Sequence, residues 1–445
     1  MVMNLQACYW QLADDSKGDT KSDNQANDDM AQTEATFVRS FVGAAKAAFS
    51  SAGPVRDFAR FAEGDRVLIN DVKLLDPLKQ GKTTEWKHGH ISHDSIIGAP
   101  ARRFKILSSR GVALTVNHPT LEQFVSLSPR HVTPIYGQYA AFIVNQLDVH
   151  VSPPGSASSP LEILDAGTGH GSLTMHLARA IAAANSPPPA LPHPRMPQAN
   201  LASTTTQDEA ALADVWKQWK ETRNAVIHTV EAQDVWGRAA ERLIRSFRQG
   251  LYWPHIDFNI GNVDEWVGQK LAERGQAFLS AVVLDLPDVH LHFPQVLAAM
   301  EEDARLVIYT ASITQLCECE KLVEARGLPL KQEKVVELGS GISDGRIWNV
   351  RVTVPRARSR PAASPSTLSS ASPDDGGPEK VMICRPKVFE RVVGGGFIGI
   401  WRKTSPVSRP AEDPDGGKLS TAQDCVEFEP AERGDGDKEP EVSSR

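Results

Sequence analysis

The chain has 445 residues, 30 prolines, 32 glycines, an apolar fraction of 41% and a formal net charge of −7. That length exceeds one typical domain of roughly 100–200 residues, and an apolar share below the ~45–50% of an average globular chain indicates folded units diluted by polar segments. No run of about 18 apolar residues is present, which excludes a transmembrane helix, and Cys8, Cys317, Cys319, Cys384 and Cys425 are too scattered for a disulfide scaffold and fit a reducing compartment. Taken alone, the negative charge argues weakly against a nucleic-acid partner, because phosphate needs basic surface.

In chain order, residues 1–60 read as disordered, acid-rich at first, then a basic stretch. Phe37 to Phe61 carries Arg39, Lys46, Arg56 and Arg60 against a single acid, Asp57. That pattern resembles an organelle-targeting segment, although an ordinary N-terminal helix fits it too. Residues 61–128 read as a small β domain, with short strands in EGDRVLI, FKILSS and GVALTVN. Residues 129–403 follow another rule. LEILDAG, NAVIHTVEA, IDFNIGNV, LSAVVLDLP and ARLVIYTAS are apolar runs of strand length, separated by helical stretches such as SLTMHLARAIAAAN and QLCECEKLVEARG. This alternation predicts an α/β fold, a doubly wound and mostly parallel sheet. Two polar insertions interrupt it, at 186–213 and 355–380. VMICRPKVFERVVGGGFIGIWRK reads as a last strand, and 404–445 as a disordered acidic tail.

ILDAGTGHGSL, from Ile163 to Leu173, carries the sharpest chemistry. A strand ends at Asp165, Gly167, Gly169 and Gly171 follow, and a helix opens near Ser172. Glycines let backbone turn tightly against a ligand. Such a turn can hold a dinucleotide or be merely structural. However, the spacing is G-x-G-x-G, and Asp165 would repel a pyrophosphate. An acid there suits the cationic amino acid part of S-adenosylmethionine. Glu231 ends the next strand, where a carboxylate can accept from ribose hydroxyls. Asp264 follows the third strand and can accept from an adenine amine or cap the helix EWVGQKLAE. Asp285 closes the fourth strand in VVLDLP, at the carboxyl edge where ligands bind in open α/β sheets, and is a catalytic candidate. Cys317 and Cys319 lack a matching pair, so zinc is not expected, and no spacing supports a metal at His88, His90 and His93.

With these residues in place, the chain resembles the catalytic subunit of the tRNA (adenine-58-N1) methyltransferases. The resemblance rests on EGD, HGHISHDSIIG, GVALTVNHPT, SPR, VTPIY, DAGTGHGSL, LDLP, ITQ, RIWNV, CRP and the closing GGF-to-WRK block, between about Glu63 and Lys403. It implies a Rossmann-like class I methyltransferase domain, S-adenosylmethionine as donor and the TΨC-loop adenosine of tRNA as acceptor. Gly167, Thr168, Gly169, Gly171, Ser172 and Leu173 would cradle the donor beside Asp165, Glu231 would hold its ribose and Asp264 its adenine, and Asp285 matches the family's catalytic Asp. The family also implies a tetramer, of one chain or with a non-catalytic sister subunit, in mitochondrion or nucleus. Departures fall at Thr133, Tyr139, His170, Trp236, Asp288-Val289-His290 and Gly394-Gly395, mostly on the acceptor side. Two other readings stand beside this one: a class I methyltransferase with another acceptor, and an RNA-binding partner subunit without activity.

Overall fold

The computed structural model describes residues 58–156, 159–191, 207–339, 348–353, 381–386 and 395–405. The residues before 58, with most of the stretch read as a possible targeting segment, most of the two insertions and the tail after residue 405 lie outside the described residues.

The first part is antiparallel β structure. Strands β1 (Leu68–Ile69), β2 (Lys73–Leu74), β5 (Phe104–Leu107) and β6 (Ala113–Asn117) form a sheet in the order β2-β1-β6-β5, and β3 (Thr83–Trp86) pairs with β4 (Gly89–Ser92) as a hairpin. Alternate residues turn inward, and Phe61, Val67, Ile69, Ile91, Ile106 and Leu114 make a core of their own. The hairpin was not expected from the sequence, because TTEW and GHIS lack an apolar rhythm. His93 holds it instead. Fully buried, its Nδ1 accepts from the Lys79 N–H at 3.0 Å and its Nε2 lies 2.7 Å from Thr84 Oγ1. An acceptor at Nδ1 fixes the proton on Nε2, so the ring is neutral. Burial, then Lys82, lowers the pKa of His93.

Two helices lead into the second part. Helix α1 (Leu121–Leu127) starts in a capping box, with Thr120 Oγ1 accepting from Gln123 N–H at 3.1 Å and Gln123 Oε1 accepting from Thr120 N–H at 2.9 Å. Helix α2 (Gly137–Leu147) follows. The central sheet has seven strands: β7 (Leu161–Ala166), β8 (Ala225–Glu231), β9 (Ile256–Ile260), β10 (Leu279–Leu284), β11 (Met300–Thr310), β12 (Leu330–Glu337) and β15 (Phe397–Lys403). Their order is β12-β15-β11-β10-β7-β8-β9, and β15 alone runs antiparallel to its neighbours. The helices between them are α3 (Ser172–Ile181), α4 (Gln207–Glu221), α5 (Asp234–Arg245), α6 (Val263–Arg274), α7 (Phe293–Ala299) and α8 (Ile313–Arg326).

Both faces of the sheet are covered, which is why its strands read as continuous apolar runs. Ile163, Ile227 and Val283 pack with α2 and α3 on one face, whereas Leu164, Val230, Val282 and Leu284 pack with α6 and α7 on the other. The closing sequence is two strands rather than one. β14 (Val381–Pro386) pairs with β13 (Trp348–Thr353) outside the central sheet, and only β15 enters it. Pro386 has no amide hydrogen and cannot extend a ladder.

Helix α4 begins within the segment 186–213, because QDEAALADVWKQWKE has strong helix formers and no proline. Trp216 anchors it, with edge-on contacts to Trp219 and Trp253 at 5.4 and 5.3 Å and Nε1 donating to the Ala190 carbonyl at 3.0 Å. Trp216→Ala is therefore expected to destabilise the fold by about 3–5 kcal/mol, read in a urea titration. A midpoint unchanged from wild type would show that α4 is not part of the core.

Candidate functional site

The glycine turn sits at the carboxyl edge of β7, between β8 and β10. Gly167, Gly169 and Gly171 all have left-handed backbone, with φ of 93°, 50° and 82°. Gly167 has a second requirement, since a Cβ there would lie 2.1 Å from the carbonyl oxygen of Asp285. The turn is fastened on both sides: Gly167 N–H donates to the Val230 carbonyl and Asp285 N–H to the Ala166 carbonyl, each at 2.9 Å.

Three of the expected carboxylates converge on this turn. Glu231 is buried, its Oε2 accepts from Gly169 N–H at 2.9 Å and its Oε1 from Gln233 N–H at 3.0 Å. Asp165 is fully buried beneath the turn, where Oδ2 accepts from Thr174 Oγ1 at 2.6 Å. Asp285 is half-buried at the mouth. Burial pushes the Asp165 carboxyl up to about 7, against the Thr174 hydrogen bond and with repulsion from Asp285 and Glu231 adding to it. Burial and Glu231 likewise push Asp285 up to about 7. Folded-state values above the ordinary 3.8 mean that these groups stabilise the fold fully below about pH 3.8 and lose that contribution as pH rises through about 7. A cation bound among them would offset this repulsion.

The other expected residues divide. The hydroxyls of Thr168 and Thr229 share a 2.5 Å hydrogen bond. Ser172 is buried and donates to the Ile135 carbonyl at 2.5 Å, which ties the turn to the VTPIY segment, and the Leu173 side chain packs in the core. The side chains of Thr168, Ser172 and Leu173 are thus engaged within the protein. Asp264 does not cap α6. Asn262 does, its side chain accepting from Asp264 N–H at 2.7 Å. Asp264 Oδ2 instead meets His292 Nδ1 at 2.9 Å, and its buried Oδ1 has no hydrogen-bond partner. His292 is thereby held on Asp264 rather than left free at the surface. Tyr309 was missed. It lies near Asp285, Tyr139 and Tyr136, its hydroxyl donates to the Gly395 carbonyl at 3.0 Å, and burial and Asp285 raise its pKa. Its only signal was its place near the end of the strand beside β10.

Among the described residues, no group of three or more His, Cys, Asp or Glu is arranged to hold a metal ion, and no helix is long and apolar enough to cross a membrane. Cys319 is buried in α8 while Cys317 is exposed.

No family model matches the chain. It is 26% identical over 280 residues to the tRNA (adenine(58)-N(1))-methyltransferase TrmI of Thermus thermophilus, which covers 63% of this chain and 84% of that protein. It is 28% identical over 124 residues to the tRNA (adenine(58)-N(1))-methyltransferase catalytic subunit TRM61 of Candida albicans, covering 27% of this chain and 34% of that one. Among solved structures it is similar to a SAM-dependent O-methyltransferase from Thermotoga maritima, with a TM-score of 0.50, 16% identity, and 79% of this chain and 97% of that chain covered. That likeness agrees with the Rossmann-like methyltransferase fold of the central sheet.

Proposed function

We propose that the chain is an S-adenosylmethionine-dependent methyltransferase acting on ring nitrogen 1 of the adenosine at position 58 in the TΨC loop of tRNA. The observation that carries this reading is the convergence of Asp165, Glu231 and Asp285 on a turn with no room for a side chain at Gly167. Uncompensated acids repel a pyrophosphate and attract a sulfonium or ammonium, which favours this donor over a dinucleotide. The similarity to TrmI, across most of that protein's length, supports the acceptor.

S-adenosylmethionine supplies an electrophilic methyl group on a sulfonium centre. Gly167, Thr168, Gly169 and Gly171 offer backbone groups to it, and the opening N–H groups of α3, at Ser172 and Leu173, favour its carboxylate. Asp165 lies below and adds negative charge. Glu231 keeps lone pairs for ribose hydroxyls beyond those given to Gly169 and Gln233. The unpartnered Oδ1 of Asp264 suits an adenine amine. Asp285 then has one task at the acceptor. Adenine nitrogen 1 carries a free lone pair at neutral pH, so no base is needed to expose it; the difficulty is aim. By accepting from the exocyclic amine, Asp285 directs that lone pair at the methyl. The ring becomes cationic, and the same carboxylate stabilises the developing charge. Tyr309 adds an aromatic wall against that cation. The adenosine must leave its stack to enter.

The proposed tRNA surface includes the exposed Arg102, Lys105 and Arg110, which have no ion-pair partner among the described residues, whereas Arg103 is held by Asp71 at 2.7 Å. We assign the acceptor-binding work to the part spanning 61–128 and the transfer to 129–403. A tetramer follows from the resemblance, and light scattering of the chain alone distinguishes self-assembly from a need for a sister subunit.

Donor binding should be proton-linked. With Asp165 and Asp285 both titrating at about 7, a cationic donor is expected to bind about tenfold more tightly at pH 8 than at pH 6, with protons released at pH 7. Calorimetry in two buffers of different ionisation enthalpy reads this; affinity independent of pH with no proton exchange removes the acid cluster from the donor site. The whole reading is tested by incubating the chain with methyl-labelled donor and an unmodified tRNA transcript. Label in the RNA is expected, and label only in protein or small molecules rejects it.

A further inference from the structure

On the side of the glycine turn away from Asp285 lies a second cavity, of about 210 Å³. Its walls come from three places: Arg66 next to β1, Pro129 and His131 in the link to α2, and Arg242 and Ser246 at the end of α5, with Gly169 and His170 as its floor. No acid lines it. The charge balance is unlike that of the larger cavity, of about 380 Å³, at the opposite edge of the sheet. There Lys220 and Arg223 are matched by Asp257, Arg274 by Glu162 and Lys270 by Glu273.

Behind the turn Arg66 and Arg242 form no ion pair among the described residues, although Asp76 acts on Arg66 through space. Arg242 is exposed and has no ion-pair partner among the described residues. Arg66 is half-buried, donates from Nε to the Leu75 carbonyl at 3.1 Å and lies over the Phe124 ring, and burial lowers its pKa. His170 is 7% exposed; neither ring nitrogen makes a well-formed hydrogen bond, and its one polar contact is a loose one to the Pro129 carbonyl. A buried imidazole held only by so loose a contact costs free energy and marks a position that can take a further partner. Burial also lowers its pKa to about 4, opposed by the Pro129 carbonyl and aided by Arg130 and His131. It is thus neutral near pH 7, with one N–H to donate. Two guanidinium groups, two imidazoles and a hydroxyl around an acid-free hollow match one chemistry, a tetrahedral oxyanion.

We propose that this cavity is a phosphate-binding site. Its source is a backbone phosphodiester of the RNA acceptor or a free phosphate; the first rests on the acceptor proposed above, and the second does not. A phosphodiester bound here would lie across the glycine turn from Asp285 at the end of β10, so the two contacts would grip the acceptor from both sides of one five-residue segment.

The test uses the full chain and the variants Arg242→Gln and Arg66→Gln. Inorganic phosphate is titrated at constant ionic strength against chloride, and the melting temperature is followed. Wild type is expected to gain several degrees, and each variant to lose most of that gain. No difference between phosphate and chloride for wild type overturns the site, whatever the fate of the acceptor assignment. The second arm measures tRNA affinity against salt. If the source is RNA, each variant binds about tenfold more weakly and the slope of log affinity against log salt falls by about one unit. A phosphate-dependent shift with unchanged tRNA affinity and slope assigns the site to a free phosphate. A loss of S-adenosylmethionine affinity in both variants, with neither a phosphate shift nor a tRNA effect, means that the cavity serves the donor's carboxylate and overturns the proposal.

Discussion

Asp285→Ala is expected to lower single-turnover methyl transfer by about 10²–10³-fold, the scale for loss of one group aimed at developing charge. Donor affinity should change far less, because Asp165 and Glu231 remain. Removing Asp285 also removes one of the repulsions that raise Asp165, so the remaining acid ionises more readily at neutral pH. Asp285→Asn separates the two tasks of the residue. Its amide oxygen can still accept from the exocyclic amine but carries no charge to stabilise the ring. The expected order of rates is wild type, then Asn, then Ala. Transfer by the Ala variant at the wild-type rate would remove Asp285 from the chemistry.

Gly167→Ala should be the most damaging single methyl group in the site. The added Cβ meets the carbonyl of Asp285 at 2.1 Å and sits on backbone with φ of 93°. Backbone cannot yield as a flexible side chain does, so either the turn or the β10 edge must move. A loss of about 2–4 kcal/mol in stability is expected, with donor binding abolished. Gly98→Ala is the control. Its φ of +81° imposes comparable left-handed strain, but nothing lies within 4 Å of the added methyl. It should cost about 1–2 kcal/mol and leave donor affinity intact. Equal donor affinity in the two variants would show that the close approach at Gly167 has no part in the site.

The central sheet was legible because burial on both faces writes itself as uninterrupted apolar strands, as in AVIHTVE and SAVVLDL. The glycine turn was legible because left-handed backbone at three alternate positions leaves few residue choices. The hairpin of β3 and β4 was not, since His93 holds it through two polar contacts that leave no periodicity. The same holds within the site. Glu231 and Asp285 stand at strand ends, where position alone marks them. The Asp264–His292 pair joins groups 28 residues apart, and only the packing of α6 against α7 brings them together. The place of Ser172 in the motif does not reveal that its hydroxyl is spent on the Ile135 carbonyl, which leaves its backbone N–H for the proposed donor contact. Net charge was a poor guide to partners. Acids crowd residues 14–34 and 412–441, whereas the cavity behind the turn has Arg66, His131, His170 and Arg242 in its lining and no acid.

The most direct test of the account is to map the methyl group. Two unmodified tRNA transcripts, one with adenosine and one with guanosine at position 58, are incubated with the chain and methyl-labelled S-adenosylmethionine, digested to nucleosides and resolved by mass spectrometry. 1-Methyladenosine is expected from the first transcript and no label in the second. Equal labelling of both transcripts, or methyl on a base other than adenine, would contradict it.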